Sequence, residues 1–133
     1  MPIDLQRKYH DATDAAKRAH PFVGRHLLAS YCECDRSTLV DVRRINAALL
    51  AAVGASGATL LKSVEHVFPP HGFTAVALLA ESHASIHTYP EHGACFVDIF
   101  TCGSHCDVEA FDAELRRHLR PQKVSVQIVE RVD

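Results

Sequence analysis

The chain has 133 residues, of which 47% are apolar and 23% charged, and its formal net charge is -2. That suits one domain around one core, and it leaves no basic excess to recruit nucleic acid as a partner. The longest apolar run, Phe73 to Ala80, is too short to span a membrane, and the first 20 residues lack the apolar centre of a signal peptide, so a soluble, cytoplasmic protein is expected.

Residues 1–21 are polar, with scattered apolar positions, and read as an N-terminal extension of unknown role ahead of a domain over 22–133. Arg25 to Glu33 reads as a strand with partial alternation. Ser37 is the expected N-cap of a helix over 38–53, because Leu39, Val42, Ile45, Ala48, Leu49 and Ala52 recur at helical spacing. Gly54 and Gly57 are expected to end it. Thr59 to Phe68 reads as a strand, Pro69 to Gly72 as a turn, and Phe73 to Ala80 as a second, apolar strand with Ser82 following at its end. Ser85 to Thr88 reads as a short strand, Tyr89 to Gly93 as a turn, and Ala94 to Thr101 as another strand. Asp107 to Leu119 carries Val108, Phe111, Leu115 and Leu119 on one helical face, and Lys123 to Val129 alternates as a last strand. The expected class is α+β, with two helices on one face of a mainly antiparallel sheet.

Chemistry-bearing residues concentrate in AESHASIHTYPE, residues 80–91, where Glu81, Ser82, His83 and His87 fall together. Three readings compete there. The segment is a polar turn between strands; or the chain holds zinc through His92, Cys95, Cys102, His105 and Cys106, an H-x2-C-x6-C-x2-H-C series of preferred zinc donors but not a standard knuckle; or Ser82 is a nucleophile. Five cysteines, an odd number, argue against a complete disulfide framework. Cys32 and Cys34 lie at i and i+2, a spacing that shares one face of a strand and lets the two thiols meet.

The blocks GRHLLASYCECD (24–35), HVFPPHG (66–72), LLAESHASIHTYPEHG (78–93) and DIFTCG (98–103) separate these readings. Together they resemble the prokaryotic S-adenosylmethionine decarboxylases, the small pyruvoyl-dependent, self-processing class. The likeness covers about residues 22–130. It implies that Ser82 attacks its own backbone at the Glu81 carbonyl. An N-to-O acyl shift gives an ester, and β-elimination cuts the chain between Glu81 and Ser82. The remnant of Ser82 becomes a pyruvoyl group, the one cofactor expected, which takes the substrate amine as a Schiff base and accepts the electrons released by decarboxylation.

The other roles are carried over by position. His87 matches the histidine that moves a proton in processing, a step suited to imidazole. Thr74 stands where the family has an assisting serine and keeps the hydroxyl. Cys102, in FTCG, matches the acid that protonates the product. Phe68 and Glu91 fall where the family stacks adenine and binds the ribose hydroxyls. Tyr89 replaces a usual tryptophan and Ala75 a usual glycine. The resemblance also implies a homodimer, two sheets pairing as an αββα sandwich, with S-adenosylmethionine as substrate and the aminopropyl donor of spermidine synthesis as product. Arginine or ornithine decarboxylation on the same core, a non-processing relative and a zinc-binding interaction domain are the alternatives. No metal site is assigned.

Overall fold

In the computed structural model, which describes residues 23–102 and 105–132, six strands form one sheet. They are β1 (Val23–Cys32), β2 (Leu60–Val67), β3 (Phe73–Leu79), β4 (Ser82–Tyr89), β5 (Ala94–Cys102) and β6 (Lys123–Val132). Their spatial order is β2-β3-β4-β5-β1-β6, and every pair is antiparallel. Three helices are α1 (Arg36–Leu39), α2 (Val42–Ser56) and α3 (Val108–Leu119).

Strand alternation makes one sheet face the core. Leu27, Ala29 and Tyr31 of β1, Phe73, Ala75 and Ala77 of β3, Ala84 and Ile86 of β4, and Cys95, Val97 and Ile99 of β5 are all buried. The register lines them up across the strands, as in Leu27 opposite Ile99 and Ala84 opposite both Ile99 and Ala77. Onto this face α2 sets Ile45, Ala48, Leu49, Ala52 and Val53, a stripe at helical spacing, and α3 sets Val108, Phe111, Leu115 and Leu119. Antiparallel α+β architecture with the helices on one face is thus what the chain adopts.

The first expected helix differs in its start and its continuity. Ser37 is not its N-cap: the Ser37 and Thr38 hydroxyls both donate to the Asp35 carboxylate, and Asp35 itself precedes α1. The chain then breaks at Asp41, whose side chain accepts the Arg44 N–H at 3.3 Å and starts α2 afresh. Gly54 lies inside α2; Gly57, at φ 80°, ends it. That left-handed conformation is one glycine adopts without a Cβ clash. Residues 1–21, expected as an extension, lie outside the described residues.

The segment around Ser82 also differs. Residues 80 and 81 form a two-residue hairpin turn, with Leu79 paired to Ser82, so Ser82 opens β4 rather than trailing β3. The short strand expected at 85–88 is the far half of this longer one.

The opposite sheet face carries no helix among the described residues. Leu78 is 52% exposed on it and Phe96 50%. Between them run His83, Ser85 and His87 of β4 and Asp98 and Phe100 of β5. Among the described residues no helix is long and apolar enough to cross a membrane.

Candidate active site

The β3–β4 turn is held on three sides. The Ala80 N–H donates to the Thr59 carbonyl at 2.9 Å. The Glu81 carboxylate accepts the Thr59 N–H at 2.9 Å and the Thr59 hydroxyl at 3.3 Å, and its Oε2 lies 2.9 Å from His105 Nε2. Burial pushes the Glu81 carboxyl up, but the Thr59 N–H and His105 outweigh it and hold the group below its usual value. The Glu81 carbonyl oxygen points to β5, where it accepts the Cys102 N–H at 3.1 Å and the Cys102 thiol at 3.0 Å. Ser82, half-buried, follows directly, paired with Leu79 on one side and Thr101 on the other. Two donors on one peptide oxygen, beside a serine, form an arrangement suited to stabilising negative charge on that oxygen.

A second group of expected residues lies at the other end of the same strands. Thr74 and His87 are direct cross-strand neighbours, and Thr74 Oγ1 is 3.1 Å from His87 Nδ1. Phe68 stands in the β2–β3 link, 48% exposed, its ring 4.5 Å from that of His66. Glu91, exposed, lies in the 3-10 turn Pro90–His92 after β4. Tyr89 packs 5.3 Å from Phe96 on the open face, whereas Ala75 is buried on the helix side.

Within one chain, then, Glu81, Ser82 and Cys102 come together, and Thr74 and His87 come together, but the two groups do not meet. Ser82 and His87 are five residues apart on β4, roughly 17 Å at the antiparallel rise.

The cysteine–histidine series is not gathered. Cys95 and Cys102 lie at opposite ends of β5 and on opposite faces, and His92 is exposed beyond β4. Cys34 lies against Cys95, and the left-handed Glu33 (φ 54°) turns the chain between the end of β1 and Cys34. That contact and burial push the Cys95 thiol up.

Two further clusters bring together side chains that the sequence did not group. Asp98 Oδ2 lies 2.7 Å from His26 Nε2 and 3.2 Å from His83 Nε2, and Ser85 donates to its other oxygen. Burial raises the Asp98 carboxyl, but these donors hold it below its usual value. Glu81, His105 and Cys106 form the other; burial and the Glu81 charge push the Cys106 thiol up. Either cluster is tight enough to share a cation. Alternation on β4 and β5 put Ser85 and Asp98 on one face, but the β5–β1 pairing that adds His26 is non-local. Near Asp98 the open face forms a groove of about 450 Å³ lined by Leu28, Ser30, Ser85, His87 and Phe96.

A family model described as S-adenosylmethionine decarboxylase matches residues 25–132. The S-adenosylmethionine decarboxylase proenzyme of Methanococcus vannielii is 43% identical over 109 residues, covering 82% of this chain and 89% of its own. That of Thermotoga maritima is 40% identical over the same length, covering 82% and 84%. The crystal structure of the adenosylmethionine decarboxylase from Aquifex aeolicus superposes with a TM-score of 0.78 at 37% identity, over 84% of this chain and 92% of that one. A Trypanosoma brucei AdoMetDC-delta26 monomer shares the fold at a TM-score of 0.59 and 18% identity.

Proposed function

The chain belongs to the S-adenosylmethionine decarboxylase family, and from that premise we propose that it is a proenzyme that cuts itself between Glu81 and Ser82 and then decarboxylates S-adenosylmethionine. The observation that carries this reading is the Glu81 carbonyl, on the residue directly before Ser82, seated on the Cys102 N–H and thiol. A peptide carbonyl is a poor electrophile and a serine hydroxyl a weak nucleophile, so position has to supply much of the rate.

Ser82 Oγ attacks the Glu81 carbon, and charge builds on the oxygen that Cys102 already holds. The Glu81 C–N bond breaks as the ester forms on Ser82 Oγ. Loss of the Ser82 α-proton then expels the Glu81 carboxylate and severs the chain; the dehydroalanine left behind takes up water and loses ammonia to become the pyruvoyl group. The site suits that group, since its precursor Ser82 opens β4 directly after the carbonyl that the Cys102 donors hold. Once formed, the pyruvoyl ketone supplies an electron sink for decarboxylation. Cys102 Sγ then holds the proton for the substrate α-carbon. Phe68 offers a face for adenine, and Glu91 a carboxylate for the ribose hydroxyls.

His87 cannot serve the Ser82 of its own chain across roughly 17 Å of strand. The apolar open face supports a homodimer in which two sheets pack face to face. His87, Thr74, Phe68 and Glu91 of one copy then complete the site begun by Glu81, Ser82 and Cys102 of the other. Two-fold pairing makes both sites equivalent.

Denaturing mass analysis tests the cleavage. Wild type resolves into residues 1–81 and a pyruvoyl-blocked 82–133, while Ser82→Ala stays one chain. A Ser82→Ala chain that still splits after Glu81 would refute the mechanism. Carbon dioxide release from S-adenosylmethionine, arginine and ornithine then identifies the substrate.

A further inference from the structure

The Glu81 carboxylate carbon is five covalent bonds from the carbonyl oxygen that Cys102 holds, yet the carboxylate belongs to the most heavily gripped side chain at the turn. Its side chain is 10% exposed although it sits on a hairpin tip. Thr59, just before β2, contributes its N–H and its hydroxyl; His105, just before α3, contributes Nε2. Thr59 also takes the Ala80 N–H on its own carbonyl, so one residue ties both members of the turn. Two segments, 22 and 24 residues away in sequence, therefore converge on this one carboxylate.

The cleavage chemistry depends on the orientation of one peptide plane. Rotating the Glu81–Ser82 peptide swings its oxygen off the Cys102 N–H and thiol and changes the line of approach for the Ser82 hydroxyl. A two-residue turn has few atoms with which to resist that rotation. We infer that Thr59 and His105 are positioning residues for self-cleavage, gripping the Glu81 carboxylate so that the adjoining carbonyl stays on its Cys102 donors. The inference rests on the self-cleavage reading. Neither residue touches the reacting atoms. The same grip holds Glu81 after the cut, when it has become the last residue of the first chain.

The test follows cleavage in freshly translated full-length chain by denaturing mass analysis, for wild type, His105→Ala, His105→Gln and Thr59→Val. His105→Ala slows cleavage about 10- to 100-fold, the scale of a small misplacement of reacting groups. His105→Gln, whose amide N–H replaces the Nε2 donor, recovers the wild-type rate to within about threefold, and Thr59→Val, which removes one ordinary hydrogen bond, slows cleavage about threefold. Recovery with glutamine separates orientation from a mere loss of stability. Wild-type cleavage rates in both His105→Ala and Thr59→Val, or a His105→Gln as slow as His105→Ala, overturn the inference. A wild-type chain that never cleaves overturns the self-cleavage reading and this inference with it, and the wild-type sample alone tells the two failures apart.

Discussion

If the site is shared between two copies, the defects of Ser82→Ala and His87→Ala must complement each other. Ser82 and His87 are separated by five residues of β4, roughly 17 Å, whereas proton transfer requires approach to about 3 Å. No side-chain rotation closes that gap inside one strand. Each variant alone therefore fails: Ser82→Ala lacks the nucleophile, and His87→Ala stalls, leaving an ester that hydroxylamine cuts. A mixed dimer regains one complete site, formed by Ser82 of the His87→Ala copy and His87 of the Ser82→Ala copy. With equal production and random two-fold pairing, about half of the His87→Ala chains meet a Ser82→Ala partner, so about half of them are cut and none of the Ser82→Ala chains are. Different affinity tags give the two chains distinct masses, and native mass analysis counts the mixed dimers. Mixed dimers without any cleavage, or normal pyruvoyl formation in His87→Ala alone, would refute the shared site.

Cys102→Ala keeps the backbone N–H at the Glu81 oxygen but loses the thiol. Cleavage slows about tenfold or less, while decarboxylation per matured chain falls by about 10²-fold or more, as for loss of a general acid; mass analysis and carbon dioxide release measure the two. Glu91→Gln raises KM for S-adenosylmethionine by about tenfold or more, the loss of a charged hydrogen-bond acceptor, and leaves cleavage unchanged. Asp98 gives the acid limb of stability. Its folded carboxyl titrates below the usual value, so its contribution is complete above about pH 4 and is lost as pH falls through that depressed value. Asp98→Asn lowers stability at neutral pH by about 1–3 kcal/mol and flattens this limb, measured by urea unfolding across pH.

The local rules of the chain were enough for its elements. Ile45, Ala48, Leu49 and Ala52 repeat at helical spacing and are all buried in α2; Val108, Phe111, Leu115 and Leu119 do the same in α3. The ESHASIHTYPE and FTCG blocks sufficed for the family. Local competition was harder to read: Ser37 looks like a cap, but its hydroxyl serves Asp35, and Asp41 restarts the helix. Ser82 looks like a turn residue, but the turn is only two residues long and β4 begins at it.

The site itself belongs to the tertiary structure. Period-two alternation determines which face of a strand a residue takes, and that follows from sequence once the strand is known. Which strands become neighbours does not. Cys102 reaches the Glu81 carbonyl because β4 and β5 pair in one register, and Thr59 and His105 reach its carboxylate because two distant links close over the same hairpin. The same geometry keeps Ser82 and His87 apart: five residues of extended chain hold them at opposite ends of a strand, though in sequence they look like partners.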